Sequence, residues 1–220
     1  MKCVIFDLDG TLADTSGDLI AAANACFSAM GEKVRLDPKT DAGIALRGGR
    51  AMLTAGLSRI GKLDESLPEK WYPALLDAYS GAICNHTVLY PGAAQILEQL
   101  RMSGYVLGVA TNKPQALAER VLRELGVRDL FGSMIGADTL PVKKPDPAHF
   151  WAAVDGAGGT REAAVLIGDS DTDRKTAAAA GAPCILVTFA PPGRAVEALE
   201  PEGLIDHFHD LPAELQRLIG

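Results

Sequence analysis

The chain has 220 residues, a hydrophobic share of 48% and a formal net charge of −7. That length carries one large domain or one domain with an insert, and the composition is that of a globular protein with a substantial core. The acidic balance, with no basic stripe, excludes a general nucleic-acid binder, and no apolar run reaches the length of a membrane span. Four cysteines, Cys3, Cys26, Cys84 and Cys184, lie scattered among apolar neighbours without a C-x-x-C pair. They read as reduced, buried thiols. With no basic-then-apolar leader at the N-terminus, the expected setting is the cytoplasm.

Residues 2–7 open the chain as a short apolar strand that runs into Asp7-Leu8-Asp9-Gly10. An ionised carboxylate at the end of a buried strand is costly unless a cation or a partner meets it. Taken alone, however, Asp-x-Asp-Gly reads equally well as a polar strand end with a glycine turn. From Ser16 to Met30 the apolar residues recur at helical spacing, and Gly31 is a natural stop. Helical spacing returns over 51–60 and 67–84, the latter carrying Trp71 and Tyr72, read as core, and an internal Pro73. Nothing between Asp14 and Thr87 reads as a strand, and the stretch is too long for a simple crossover helix. The expectation is an inserted all-helical cap domain, 14–87, dividing a second domain into 1–13 and 88–220.

From Tyr90 the texture alternates. The spacing predicts a helix over 93–102, a strand over 105–111, a helix over 114–125 and a short strand at 134–136. Asp146 and Pro147 then open a helix as N-cap and first-turn proline. A strand over 164–168, an Ala-rich helix over 171–180, a strand over 184–189, a loop and a closing helix over 211–219 follow. Strands and helices in this rhythm predict an α/β fold, a Rossmann-like parallel sheet core flanked by helices, with the helical insert after its first strand.

In such sheets ligands bind at the carboxyl ends of the strands. Those ends carry Asp7 and Asp9, then Thr111 and Asn112, then Asp138 and Lys143-Lys144-Pro145, then Asp169, Ser170, Asp171 and Asp173. Acids crowded together raise one another's pKa, and a hard divalent cation relieves that. Magnesium needs only a few carboxylate or carbonyl oxygens plus water and substrate phosphate. His207 and His209 lie two apart in a loop without thiols or acids in pattern, and read as surface residues.

Four motifs in order, Asp7-x-Asp9-Gly10-Thr11, Thr111-Asn112, Lys144-Pro145-x-Pro147 and Gly168-Asp169-x-x-x-Asp173, resemble the haloacid-dehalogenase-like phosphatase superfamily over essentially the whole chain. The resemblance implies Asp7 as the nucleophile that forms an aspartyl-phosphate, and Asp9 as general acid and then base. It implies Thr111 on the phosphoryl oxygens and Lys144 paired with nucleophile and phosphate. It further implies Mg2+ held by Asp7, Asp169 and the backbone carbonyl of Asp9, with Asp173 in support. Asp171 reads instead as a solvated helix-start residue, and Lys143 as a surface lysine. Two positions depart from the family's usual wording, Ala137 before Asp138 and Ala190-Pro191-Pro192 late in the chain; neither is a catalytic position.

The second acid, Asp9, argues against a dehalogenase. The absence of a lysine from the first cap helix argues against a phosphonate hydrolase, and Asp18-Leu19-Ile20 in place of an early cap histidine argues against a hexose-phosphate mutase. Within the superfamily the wording resembles the phosphoglycolate phosphatases, which implies a small anionic phosphomonoester, 2-phosphoglycolate, as substrate and a monomer or homodimer as the working form. Thr11, Asn112 and the loop Arg47-Gly48-Gly49-Arg50 are the candidate substrate contacts. The last is expected to close as a lid and read the substrate's carboxylate, its alternative being a glycine loop with solvated arginines. A phosphatase for pyrophosphate or a sugar phosphate, a phosphosugar mutase, and a non-catalytic binding protein are the competing readings.

Overall fold

In the computed structural model, which describes residues 1–191 and 193–220, the chain opens with β1 (Cys3–Phe6), whose four residues are all completely buried. Pro192, part of the Ala190-Pro191-Pro192 segment, lies outside the described residues. Two short strands, β2 (Ala13–Asp14) and, much later, β3 (Val88–Leu89), pair where the chain enters and leaves a helical segment. The chain divides into two compact units, Met1–Ala13 with Leu89–Gly220, and Asp14–Val88.

The helical unit contains α1 (Ser16–Ala29), α2 (Ala42–Ala45), α3 (Gly49–Arg59) and α4 (Ser66–Gly81). Its core is built from Leu19, Ile20, Ala23 and Phe27 of α1, Met52, Leu53 and Leu57 of α3, and Leu75 and Tyr79 of α4. Helix α2 was not expected; four residues are too few to show a period. Trp71 and Tyr72 are half-buried rather than core, and Tyr72 lies under the Arg50 guanidinium, 3.7 Å from ring centroid to Cζ. Asp18, buried in the first turn of α1, accepts from the backbone N–H groups of His86 (3.0 Å) and Thr87 (2.9 Å) and from the Thr87 hydroxyl (2.7 Å). Such charge-assisted bonds are the strong kind, and they tie the end of the helical unit to its beginning.

The other unit continues with α5 (Ala93–Met102), β4 (Val106–Ala110), α6 (Gln115–Glu124), β5 (Ser133–Ile135), α7 (Pro147–Ala157), β6 (Ala164–Gly168), α8 (Asp171–Ala180), β7 (Cys184–Val187), β8 (Gly203–Ile205) and α9 (Leu211–Ile219). Six strands form one parallel sheet in the order β5-β4-β1-β6-β7-β8. Strand β8 lies in what the sequence suggests is a loop; Gly203-Leu204-Ile205 is too short to show alternation and is a strand because β7 supplies its ladder. Asp146 caps α7 by accepting from Ala148 N–H at 2.9 Å, with Pro147 at the first helical position. Cys3, Cys26 and Cys184 are buried, whereas Cys84, expected to be buried as well, is only half-buried; no disulfide forms among the described residues.

Register positions the chemistry. Phe6 of β1 faces Val109 of β4 and Ile167 of β6. Asp7 is one step past that line, and Thr111 and Asp169 are two steps past it on the flanking strands. From β1 the chain builds β4 and β5 to one side, then β6, β7 and β8 to the other. The carboxyl end of β1 therefore lies at the topological switch, where open α/β sheets leave a crevice.

One ion pair in the helical unit gives a stability test. Asp41, nearly buried, takes two bonds from the Arg59 guanidinium (2.5 and 2.9 Å) and one from Asp37 N–H (2.8 Å). The Arg59 hydrogen bonds hold the Asp41 carboxyl below the usual carboxylate range. A depressed folded pKa contributes stability that is present above the unfolded value of about 3.9 and is lost as pH falls through the folded value. Asp41→Asn is expected to lower stability at neutral pH, with the gap from wild type closing in urea titrations run progressively below about pH 4. A gap that stays constant with pH contradicts the assignment.

Candidate active site

Asp7 leaves β1 with its backbone N–H on the Ile167 carbonyl (2.9 Å), still in the grip of the sheet. Its Oδ1 accepts from Leu8 N–H (2.7 Å) and lies 3.1 Å from the Lys144 Nζ. Two donors on one oxygen fix the rotation of the carboxylate. Lys144, only 3% exposed, also donates to Asp173 Oδ1 at 2.6 Å. Asp173 is completely buried at the start of α8. Its Oδ2 accepts from Ser170 Oγ (2.5 Å) and from the N–H groups of Ser170 (3.2 Å) and Asp169 (3.3 Å). With Ser170 as N-cap this is a capping box, so the helix start and the ammonium compensate the same carboxylate. Asp169 in turn accepts on Oδ1 from Thr11 Oγ1 at 3.1 Å.

Ligand oxygens of Asp7, Asp169 and Asp173 all lie within 4.8 Å of one another. Burial, partly offset by the Lys144 charge, pushes Asp7 up to about 6. Burial first, and then the charges of Asp173 and Asp7, raise Asp169 well above its ordinary value. Burial pulls the Lys144 ammonium down, but Asp173 and Asp7 outweigh it and hold the group above its usual range. An all-oxygen set of crowded, buried acids fits a hard divalent cation, which relieves the strain that burial and repulsion impose. Asp173 has both oxygens committed to Lys144, Ser170 and backbone N–H groups, so Asp7 and Asp169 are the members with coordination capacity.

The Asp9 carboxylate is not among the three grouped acids, although its charge adds to the rise of Asp7. Its carboxylate lies against Lys113, with Nζ at 2.9 Å from Oδ1 and 3.2 Å from Oδ2. Lys113 is buried, its side chain 3% exposed; the sequence reading assigned it no role. Thr111, also buried, accepts on Oγ1 from Lys113 N–H (3.2 Å), which leaves its own O–H proton to be directed elsewhere. Asn112 Nδ2 donates to the Lys144 carbonyl (3.0 Å), pinning the segment that carries the ammonium. Further back, buried His149 donates from Nε2 to the Gly136 carbonyl (3.0 Å), the only sense in which that contact can run. Burial lowers its pKa, in keeping with a neutral ring.

The structure thus brings together Asp7, Asp9, Thr11, Thr111, Asn112, Lys144, Asp169 and Asp173 within one unit. Thr11 and Asn112 are occupied with Asp169 and with the Lys144 backbone, so they act on the site's own parts. Arg47-Gly48-Gly49-Arg50 belongs to the helical unit: Arg47 is exposed, Gly48 has φ of 95°, and Gly49 begins α3. Arg50 is exposed, but its guanidinium is engaged by partners within the helical unit. Glu69 takes two bonds from its guanidinium, one from Nε and one from Nη2 at 2.9 Å, and Tyr72 stacks beneath it. Asp171 is exposed and paired with Lys175 (2.7 Å), and Lys143 is exposed. His207 and His209 are exposed and stacked on each other at 5.1 Å.

Asp173 reaches its position only because residue 168 is glycine. A Cβ there would fall 2.4 Å from both Cβ and Cγ of Asp173. Gly168→Ala is expected to push Asp173 off Lys144 and to cost about 1–3 kcal/mol, the usual penalty for forcing a methyl into a packed place. Chemical denaturation checks this, and an unchanged midpoint and m-value contradict it.

Comparison with known proteins adds to this geometry. The family model for haloacid dehalogenase-like hydrolases matches residues 1–181. A protein named phosphoglycolate phosphatase from Mesorhizobium japonicum is 35% identical over 98% of this chain and 96% of its own length. One of the same name from Cereibacter sphaeroides is 32% identical over the whole of both chains. Among solved structures, one described as a predicted phosphoglycolate phosphatase from Haemophilus somnus 129PT superposes with a TM-score of 0.84 at 26% identity, covering 97% of each chain. CbbY from Rhodobacter sphaeroides, solved in complex with phosphate, superposes with a TM-score of 0.78 at 25% identity over 98% of this chain and 99% of its own. With strand order, acid cluster and full-length likeness in agreement, the chain belongs to the haloacid dehalogenase-like hydrolases.

Proposed function

We propose that this protein is a magnesium-dependent phosphatase that hydrolyses 2-phosphoglycolate to glycolate and phosphate through a phosphorylated Asp7. The observation that carries the chemistry is the division of labour between two acids two residues apart. Asp7 sits with Lys144 and the acid cluster, and Asp9 sits apart with Lys113. The substrate is supported by full-length relatives at 32–36% identity that bear the name phosphoglycolate phosphatase.

In this reading Oδ1 of Asp7 is held by Leu8 N–H and Lys144, so attack on phosphorus falls to Oδ2. The P–O bond to the glycolate oxygen breaks as Asp9 delivers a proton to it, and glycolate leaves. The Asp9 carboxylate then takes a proton from water, whose oxygen attacks the phosphorus; the P–O bond to Asp7 breaks, returning its carboxylate and releasing phosphate. Lys144 and the Thr111 hydroxyl offset charge on the phosphoryl oxygens. Asp7, Asp169 and the Asp9 backbone carbonyl would hold magnesium, with Asp173 steadying Asp169 through its backbone N–H. When bound, the ion neutralises charge shared by nucleophile and phosphoryl group. Among the described residues no helix is long and apolar enough to cross a membrane. Buried thiols without a disulfide fit a cytoplasmic setting.

A second reading, a sugar-phosphate phosphatase, draws on the likeness to CbbY, which has also been solved as a mutant with xylulose-1,5-bisphosphate. A phosphate-release panel of 2-phosphoglycolate, pyrophosphate and sugar phosphates, with and without magnesium, separates the two. Preference for a sugar phosphate by kcat/KM would replace the first reading with the second. Asp7→Asn is expected to abolish turnover. Asp9→Asn is expected to lose about 10²- to 10⁴-fold and to leave phosphate-bearing enzyme visible by intact mass. Normal turnover in either variant removes the role given to that residue.

The raised Asp7 also predicts how magnesium should act with pH. Between the unfolded value of about 3.9 and the folded value of about 6, the metal-free folded chain keeps a proton that the unfolded chain has released. Metal-free stability therefore falls as pH rises through that window, and the raised Asp169 adds to the fall. A cation that favours the ionised cluster reverses the loss. The rise in Tm on adding magnesium is expected to be larger at about pH 7.5 than at about pH 5, by differential scanning fluorimetry. An equal or larger rise at the lower pH contradicts it.

A further inference from the structure

We infer that Lys113 is a positioning residue that holds Asp9 in place for proton transfer to the leaving alcohol; this rests on the acid–base role proposed for Asp9. Lys113 follows Asn112 at the end of β4, and its side chain runs inward until only 3% of it is exposed. A buried ammonium is costly, and this one faces both oxygens of one carboxylate, at 2.9 and 3.2 Å. Asp9 itself lies outside β1, on a turn whose glycine, Gly10, has φ of 83°. The sheet ladder therefore does not fix the Asp9 side chain, and Lys113, in the loop after β4, is a hold on it.

The backbone of Lys113 is anchored in both directions. Its N–H donates to Thr111 Oγ1 (3.2 Å), and its carbonyl accepts from Ala137 N–H (2.9 Å), which lies just past β5. The ammonium is thus a fixed post rather than a swinging side chain. In the first step Asp9 changes from acid to carboxylate as its proton passes to the alkoxide, and the carboxylate that forms has its partner already in place. Misplacing a general acid by about 1 Å is enough to cost two orders of magnitude. No step of the proposed reaction gives Lys113 a bond to make or break, so its contribution is to where Asp9 stands.

The test exploits the leaving group. Alkyl alcohols need a proton to depart, whereas p-nitrophenolate leaves without one, so the position of Asp9 matters for the first and little for the second. Phosphorylation of Asp7 is followed by rapid quench at saturating substrate, with magnesium present, for wild type, Lys113→Met, Asp9→Asn and the double variant. Lys113→Met is expected to slow phosphoryl transfer from 2-phosphoglycolate on the order of 10- to 100-fold and to leave transfer from p-nitrophenyl phosphate about unchanged. The double variant is expected to be no slower with 2-phosphoglycolate than Asp9→Asn alone, as for residues that act as a unit. Lys113→Arg, which keeps the charge, is expected to recover most of the loss, and it carries the leaving-group comparison if the Met variant does not fold.

Three results overturn the inference. Equal loss on both substrates means that Lys113 supports the fold or the phosphoryl site in general. A raised KM for 2-phosphoglycolate with an unchanged rate at saturation means that it binds the substrate's carboxylate. Multiplying losses in the double variant mean that Lys113 and Asp9 act separately. If Asp9→Asn alone leaves transfer from 2-phosphoglycolate intact, the acid–base role of Asp9 itself falls, and the inference falls with it for that separate and recognisable reason.

Discussion

Three carboxylates, Asp7, Asp169 and Asp173, share a space in which their oxygens lie within 4.8 Å of one another, and one ammonium, Lys144, is buried among them. With every acid ionised, that space carries two negative charges in excess. The protein's own donors are spent largely on Asp173, through Lys144, the Ser170 hydroxyl and two backbone N–H groups. The excess falls on Asp7 and Asp169, the two groups whose ordinary ionisation is opposed first by burial. A divalent cation and a phosphoryl group are the complementary halves of that imbalance. In the proposed reading the cation would answer the two acids, and the phosphoryl oxygens would find Lys144 and the Thr111 hydroxyl. The site is poised by what it leaves uncompensated.

Much of the fold exists to hold that imbalance steady. Asp173 is at once the third residue of a capping box, the partner of Lys144 and the brace of Asp169. It can be all three because α8 starts immediately after β6, and because Gly168 offers no side chain where Asp173 must pass. Lys144 is secured from a different direction, by the Asn112 amide on its carbonyl. Removing the Lys144 ammonium leaves the buried Asp173 carboxylate without its counterpart, a loss of about 3–5 kcal/mol and a large share of a domain's stability.

The sheet, its flanking helices and the acids at the strand ends were legible in the chain, because buried parallel strands write themselves as apolar runs and ligand-bearing residues stand directly after them. Two short elements, α2 and β8, were not. Helix α2 has four residues and β8 three, and each owes its form to neighbours rather than to its own sequence. Thr11 and Asn112 could be marked as site residues but not given their work, since a hydroxyl or an amide bonds whatever the fold brings near. Arg50 looked like an anion reader because it opens a helix beside glycines; the structure gives it to Glu69, nineteen residues on, a distance in sequence that no local pattern spans. Lys113 stands in the stretch Ala110 to Pro114, whose wording resembles the phosphoglycolate phosphatases, but nothing in the sequence assigned it a role. The register of β4 against β1 brings it to Asp9.

That register also explains how two acids so near in sequence come to do different things. Residues i and i+2 of a strand share a face, and an extended Asp7–Asp9 segment would place both carboxylates on one face. The chain instead leaves the ladder after Phe6. The N–H groups of Thr11, Leu12 and Ala13 converge on the Leu8 carbonyl, and Gly10 closes the turn by donating to Ala13. Leu8 and Leu12, both completely buried, anchor the turn on either side. Asp9 is thereby lifted out of the alternation of the strand and delivered to Lys113, while Asp7 stays with Lys144. Each acid has its own lysine, and the two ammonium groups are carried by separate loops that follow β4 and β5. The separation of the two acids, the proposed nucleophile and proton carrier, is set by a turn of a few residues and by the strand order that places β4 beside β1.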